Sequence, residues 1–521
     1  MKVLILNVKA DLLKNENEVF SKALKVSGIR KNTVKNMYVY KKSVDARKGD
    51  IKFIYSVCAE LKGNYHIAEN ANVKILKEFE YDLSRKKVSE NLRPVIIGAG
   101  PSGLFCAYLL VMAGLKPIVF ERGGKIEDRI KDVNSFFEKR QLNPACNIQF
   151  GEGGAGTFSD GKLTTGINDF RCDYIIKTFA EFGAPKEILT DGKPHIGTDY
   201  LRKVIVNMRK KIEELGGEFH FYTKVDKLVF SENKVEKIIL ENGEGYSCEA
   251  VVLATGHSAR DTYEMLYKNN VPMEKKPFSV GFRVEHLRED INKMRYHEFY
   301  NHEKLKAADY KLSYRNKERG CYSFCMCPGG LVVPSQSEEN TVVVNGMSNF
   351  KRDEINSNSA IVASVFPSDT EGGVLGGMYF QRELEKKAFD KAGGDYSAPV
   401  QLLKDFLNGE KTTSLSKVMP SYCLGYNFAD LNDVLPGFVT DIIREGFSDF
   451  DKKMKGFADS GAVITGVETR TSAPVRVLRN EAMVSQKASN LYPCGEGAGY
   501  AGGIMSAAAD GLKVAEKILG I

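Results

Sequence analysis

Short apolar-rich runs broken by polar residues at 1–8, 34–44 and 50–59, the last rich in Ile, Phe, Tyr and Val, predict three strands. Residues 16–24 carry the 3.6-residue period of a helix. This order predicts a small α+β unit over residues 1–90, closed by the polar linker at residues 82–91. At Pro94 the pattern changes. Residues 94–97 and 117–120 are short apolar runs flanking a glycine turn and an apolar helix at 104–112. A helix capped by Thr198 and Asp199 runs to about Leu215, where Gly216 and Gly217 end it. Strand-like runs follow at 218–222, 227–229, 235–240 and 246–254, with Asn242-Gly243 as a turn signal. Residues from about 270 to 460 read as a mixed, largely antiparallel region with inserted helices. The last sixty residues close with a strand, a glycine-rich turn and an Ala-rich helix.

Length and composition narrow the class. A chain of 521 residues buries at least two hydrophobic cores. With 43% hydrophobic and 27% charged residues it has the balance of a soluble globular protein. No apolar run approaches the roughly 20 residues that cross a bilayer, and the apolar start is too short for a signal-peptide core. The expectation is a cytoplasmic protein without a membrane partner. The formal charge of +7 is uneven: residues 1–90 hold 19 Lys and Arg against 11 Asp and Glu, so the whole excess sits there. A solvated basic face and a surface for RNA or an acidic partner both remain open, although no nucleic-acid-binding signature lies in those residues. Ten cysteines in so long a chain do not make a disulfide scaffold. Seven stand singly, and only Cys321, Cys325 and Cys327 cluster.

The pattern G-x-G-x-x-G occurs three times, and context separates the copies. Gly98-Ala99-Gly100-Pro101-Ser102-Gly103 follows an apolar strand and opens an apolar helix, and a second strand then ends in Glu121. Gly98 permits the tight turn, Gly100 lets the backbone approach a pyrophosphate, and Gly103 lets helix pack on strand. The helix N-terminus faces the phosphate charge, and Glu121 is placed to accept hydrogen bonds from ribose hydroxyls. This predicts a Rossmann-like dinucleotide-binding domain. The second copy, Gly151-Glu152-Gly153-Gly154-Ala155-Gly156, runs into Thr157 with neither helical nor strand character, and reads as a flexible loop against a flat cofactor. The third, Gly497 to Gly502, precedes a helix but has no second strand or distal acid after it.

Together with their neighbours these segments resemble the FAD-binding, glutathione-reductase-like flavoproteins. The resemblance implies that the first motif holds the ADP half, that Ala254-Thr255-Gly256 closes the site midway, and that Gly495-Glu496 meets the ribityl chain and diphosphate. Glu496 stands where Asp is usual in that class. Arg122, Arg129, Val225, Gly502, Gly503 and Ile504 complete the implied FAD-binding set. A closer resemblance covers nearly the whole chain. Residues 43–48, 151–163, 276–278, 323–330, 345–348, 468–476 and 495–503 are similar to a family of bacterial FAD-dependent dehydrogenases. The resemblance implies an α/β fold with a Rossmann-like FAD domain over residues 91–270 and 460–521, a mixed or antiparallel substrate domain inserted at 271–459, and the small N-terminal domain. It implies an FAD-dependent oxidoreductase that takes a small organic substrate by hydride transfer. It does not name that substrate.

The candidate chemistry sits in the inserted region. Residues 321–330 make the best candidate for a strand over the flavin, and Cys325 and Cys327, two apart on it, are expected to point the same way. Redox or nucleophilic thiol chemistry and inert packing beside a cofactor both remain open. A metal site needs about four ligands, and three cysteines without a nearby His argue against one. Arg283, Arg470 and Arg476 are candidate anion clamps, or partners of Glu285 and Glu468 in ordinary salt bridges. His257 is either an acid or base near the cofactor or a solvent-facing or capping residue. No second βαβ unit with a distal acid holds a nicotinamide. NAD(P)H therefore binds transiently across the flavin, or electrons arrive from elsewhere. Two further readings stand beside the dehydrogenase: a flavoprotein whose basic N-terminal module recognises RNA or an acidic partner, and a flavin monooxygenase.

Overall fold

The computed structural model describes residues 1–12, 16–47, 51–458 and 461–521. Asp50, the predicted start of the third strand, and Lys48 lie outside the described residues.

The first strand, Lys2–Asp11, alternates inward and outward side chains, as a strand buried on one face must. It pairs antiparallel with Lys52–Leu61 on one side and Val73–Ile75 on the other, and Val34–Asp45 forms the far edge. Helix Glu16–Ser27 covers the apolar face, closing a separate small core around Val3, Ile5, Phe53 and Val57. This unit is docked on the rest of the chain through its edge strand. The Lys42 N–H donates to the Thr190 carbonyl at 2.7 Å, and the Gly192 N–H donates back to Lys42 at 2.6 Å.

The centre is a five-stranded parallel sheet. Its order is Leu491–Pro493, Val251–Leu253, Val95–Ile97, Ile118–Phe120 and Glu218–His220. Each strand is only three residues long, and the central three are wholly buried, which explains their uninterrupted apolar sequence. Helix Pro101–Met112 is apolar all round because it is enclosed on all sides, by the sheet, by helix Thr198–Glu214 and by the C-terminal helix Ile504–Leu519. It starts three residues before the apolar run, with Pro101 at its first turn. The predicted strand at 246–254 is two pieces, Gly245–Ser247 and Val251–Leu253. The first joins a three-stranded antiparallel sheet with Val225–Ser231 and Lys234–Leu240.

The inserted region is built on a seven-stranded sheet. Its central strand Phe278–Leu287 lies between Asn356–Val365 and Val463–Glu468, antiparallel to both. Gly320–Cys327 and Ser313–Arg315 extend one side, and Ala398–Leu402 and Tyr426–Phe428 the other. The sheet is antiparallel except for the last pair, and helices Gly376–Lys391 and Gly437–Lys453 flank it. Strand Val463–Glu468 therefore belongs to this sheet and not to the parallel one, where residues 460–521 were expected to lie. The return to the parallel sheet comes at Leu491. A strand buried along its whole length fits either sheet, and periodicity alone does not choose between them. No helix among the described residues is long and apolar enough to cross a membrane.

Candidate functional site

A cleft of about 720 Å³ opens at the carboxyl ends of the parallel strands and runs to the edge of the seven-stranded sheet. Ligands of open parallel sheets bind at that end. At its floor Gly98 has φ +107°, and a Cβ there would sit 2.6 Å from the Ala254 carbonyl oxygen. A Cβ on Gly103 would sit 2.0 Å from the Gly98 carbonyl, so the close helix–strand approach is real. Gly100 is different: its nearest neighbour would be Gly154 Cα at 3.9 Å, which leaves the helix N-terminus open toward the cleft. Gly100 and Gly503 cap the helices Pro101–Met112 and Ile504–Leu519, and neither cap residue has a side chain to satisfy the first N–H groups. Two helix N-termini thus face the same cleft with donors to spare.

Most of the sequence-predicted residues line this cleft: Gly98, Gly100, Pro101 and Ser102, then Glu121, Arg122 and Val225. Gly154 to Gly156, Ala254 to Gly256, Glu496 and Gly502 to Ile504 do so as well. Glu121 ties three turns together: one carboxylate oxygen accepts from Ala99 N–H at 2.9 Å, the other from Gly123 and Gly151 N–H at 2.9 and 3.0 Å. Arg122 pairs with Asp261 at 2.9 Å and lies over the Phe150 ring.

Five predicted residues stand behind the wall instead. Gly103 and Gly153 serve packing; a Cβ on Gly153 would meet Thr157 Oγ1 at 2.2 Å. Thr157 is fully buried and donates to the Glu152 carbonyl at 3.1 Å. Gly495 packs on Ser102, and its N–H donates to Asp510 at 2.7 Å. Arg129 is fully buried under the second glycine run and donates to the carbonyls of Asn147, Ile148 and Glu152 at 2.9, 2.8 and 2.7 Å. It shapes that run from behind and does not reach the cleft. The run itself is no flexible loop. Gly151, Gly153 and Gly154 all have positive φ, and a 3₁₀ turn, Gly154–Phe158, locks it against the Pro101 helix.

At the far end the cleft meets strand Gly320–Cys327. The strand does not keep its alternation. Phe324 pairs with Ala360 and Cys327 with Asn358, so Cys325 and Met326 together face Ser359, and Cys325 sits at φ +44°. This is a β-bulge, and it re-aims a side chain as bulges do. Cys325 lines the cleft half-buried, while Cys327 lies fully buried behind it. Cys321 is packed against Gly446, far along the strand, and makes no cluster with them. No metal-ligating group of three or more exists among the described residues.

Lys162, which the sequence did not single out, stands beside Cys325 on the cleft wall. Its ammonium pairs with Asp160 at 2.9 Å and donates to the Met326 carbonyl, the peptide between the two cysteines. Asp160 is also held by Arg352, 2.9 Å from Nε, and its carboxyl stays far below the usual range because Lys162 and Arg352 outweigh its burial. The signal available in the sequence was the run Asp160-Gly161-Lys162 closing the 151–163 segment.

The arginines are not free clamps. Arg283 is fully buried and grips Glu468 through Nε and Nη2, at 2.7 and 2.9 Å. Its Nη1 donates to Asn358 at 2.6 Å and to the Cys325 carbonyl at 3.2 Å. Arg470 lines the cleft but pairs with Glu385, as does Arg260. Arg476 pairs with Glu274. Glu285 takes no arginine; it accepts from Ser421 and Asn356, and burial pushes its carboxyl up. His257 is neither solvent-facing nor a cap. It lines the cleft with Nδ1 3.4 Å from Glu496, and its Nε2 is buried without a partner. Lys276 also faces the cleft, with its ammonium pushed down by burial and by Arg476.

Comparison with known proteins fits this geometry. Residues 277–471 match the family model for an FAD-dependent protein, C-terminal domain-like, and residues 96–130 match an NAD(P)-binding Rossmann-like domain. Residues 1–60 match a domain of unknown function. An uncharacterized protein of Clostridium beijerinckii is 47% identical across 100% of this chain and 99% of its own length. A thiamine thiazole synthase of Saccharolobus islandicus is 46% identical over 59 residues, 10% of this chain and 22% of that protein. Among solved structures, glycine oxidase from Bacillus cereus is 11% identical with a TM-score of 0.36, covering 82% of this chain and 98% of its own. L-proline dehydrogenase from P. horikoshii is 14% identical with a TM-score of 0.33, covering 83% and 94%. Likenesses that weak carry no argument about chemistry.

Proposed function

The chain belongs to the family of FAD-dependent proteins that this C-terminal domain and the Clostridium beijerinckii relative mark out, and we propose that it is an oxidoreductase acting on a small organic substrate. The observation that carries the reading is the continuity of the cleft. One cavity joins the Glu121 and Arg122 end, the two open helix N-termini and the Cys325 and Lys162 end, with Lys276 also on its lining.

The residues present fit FAD. Gly100 leaves a cradle that a larger side chain would fill, and the N-termini at Pro101 and Ile504 offer unpaired N–H donors to a pyrophosphate. A carboxylate has about four lone-pair sites, and Glu121 uses three on backbone N–H groups. One is left for a ribose hydroxyl. Arg122 and Val225 line the adenine end, and Gly154 to Gly156 close over the middle. FAD supplies two-electron chemistry, with a hydride leaving or arriving at the ring.

The chain's own groups supply the rest. Lys276 and Lys162 both line the cleft and place positive charge in it, which suits an anionic group or a developing negative charge. The unpartnered Nε2 of His257 offers a proton site backed by Glu496. Arg470, held by Glu385, lines the same cleft without being free to move.

Anaerobic mixing of the FAD-loaded protein with NADH, NADPH and small amine, hydroxy-acid and thiol donors tests this. Bleaching of the flavin band by one of them is the expected result. FAD bound but unresponsive to every donor would overturn the enzyme reading.

A further inference from the structure

We propose that Cys325 and Cys327 form a redox couple, closing an internal disulfide and exchanging two electrons with the FAD held in the same cleft. The inference rests on the FAD reading above and deepens it by naming the groups that share electrons with the cofactor.

The geometry brings the sulfurs together. On a regular strand two residues apart share a face but stay at the strand's full spacing. The bulge at Cys325 and Met326 breaks that spacing and turns Cys325 toward the cleft, with Cys327 buried directly behind it. The Cys327 thiol donates to the Cys325 carbonyl oxygen at 3.3 Å, which holds its sulfur against the neighbouring cysteine. Two glycines leave room here for Cys327 and, nearer still, for Arg283. A Cβ on Gly346 would lie 2.7 Å from Cys327 Sγ, and one on Gly330 would lie 3.1 Å from Cys327 Cβ.

The charges fit thiol–disulfide chemistry, which runs through a thiolate. Two cations hold the backbone of this segment: Lys162 on the Met326 carbonyl and Arg283 on the Cys325 carbonyl. The Cys325 thiol is held below the ordinary value of 9.0, first by its neighbour Cys327 and then by Lys162 and Arg283, against its burial. Burial alone drives Cys321 the other way, and it raises Cys106 and Cys494, which face Asp510. Those are packing thiols; Cys325 is placed differently.

The step balances. Closing the disulfide breaks two S–H bonds and forms one S–S bond, releasing two electrons and two protons. FAD takes both electrons and both protons and becomes FADH₂. The reverse reopens the pair for a donor or acceptor reaching the Cys325 side of the cleft.

The test is anaerobic dithionite titration of the full-length, FAD-loaded protein, with alkylation in denaturant and peptide mass analysis at each end point. The air-oxidised protein is expected to protect both cysteines, and dithionite to free both. Uptake is then about four electrons per FAD, against about two in Cys325→Ser and Cys327→Ser, which keep their FAD. Both thiols free in the oxidised protein, with about two electrons taken up, would overturn the couple and leave the FAD reading intact. The wild-type result stands alone if a variant fails to fold. A protein that holds no FAD at all would count against the FAD reading, and with it against this inference.

Discussion

Arg283 and Glu468 meet as a buried ion pair in the middle of the seven-stranded sheet, with hydrogen bonds of 2.7 and 2.9 Å and neither side chain more than 4% exposed. Removing one partner leaves an uncompensated charge where water cannot reach. Arg283→Met is expected to cost about 3–5 kcal/mol of stability. Arg283→Met combined with Glu468→Met should recover most of it, because the double variant buries no charge. Thermal unfolding of the four proteins decides this. A loss below about 1 kcal/mol in the single variant would show that the pair is not sealed from solvent.

Burial, with repulsion from Arg352, pushes the His195 imidazole down to about 4, although Asp160 pulls the other way. The ring is 2% exposed, and its Nε2 lies 2.9 Å from the Phe350 carbonyl; Lys306 is the other cation facing it. In the unfolded chain the same ring protonates near 6.5. Between those values the unfolded chain binds the extra proton, so stability rises with pH from about 4 to 6.5 and is lost on acidification through that window. The contribution is about 3 kcal/mol. Urea unfolding should show the advantage of the wild type over His195→Gln shrinking by that amount between pH 7.5 and pH 4. A gap that stays constant would mean the imidazole titrates normally in the folded protein.

The thiolate of Cys325 owes part of its stability to Lys162. In the reduced, FAD-free chain, alkylation of Cys325 should reach half its maximal rate at a pH below the ordinary thiol value of 9.0. Lys162→Met removes a cation, disfavours the thiolate, and should move that midpoint up by roughly one pH unit. The measurement is the alkylated fraction of the Cys325 peptide against pH. An unmoved midpoint would remove Lys162 from the account.

What the sequence made legible was whatever backbone geometry forces locally. Gly98 and Gly103 could be assigned roles because only glycine survives at those approaches, and Glu121 because its distance from the turn is set by one helix and one strand. Arg129 was misplaced among the cofactor contacts: it lies one helix away from the glycine run in sequence and behind it in space. The Asp160, Lys162 and Arg352 cluster was invisible, since Asp160 and Arg352 are brought together by long-range folding. The bulge at Cys325 was equally hidden. A single extra residue in a strand leaves no mark on its alternation, yet it decides which thiol faces the cleft. The boundary expected at residue 460 falls ahead of strand Val463–Glu468, which joins the seven-stranded sheet; an all-buried strand shows no face that would tell the two sheets apart.

The account depends most on the cleft being the seat of FAD, and Gly100 tests that without disturbing the fold. A Cβ on Gly103 would strike the Gly98 carbonyl at 2.0 Å, so Gly103→Ala confounds binding with folding. Gly100 has φ −77° and no neighbour closer than 3.9 Å to a built Cβ, so a larger side chain projects only into the cleft. The measurement is FAD content and melting temperature of Gly100→Val beside the FAD-free wild type. The expected result is a melting temperature within a few degrees of that reference and bound FAD reduced at least about tenfold. A Gly100→Val protein that keeps the wild-type complement of FAD would place the cofactor elsewhere and contradict the account.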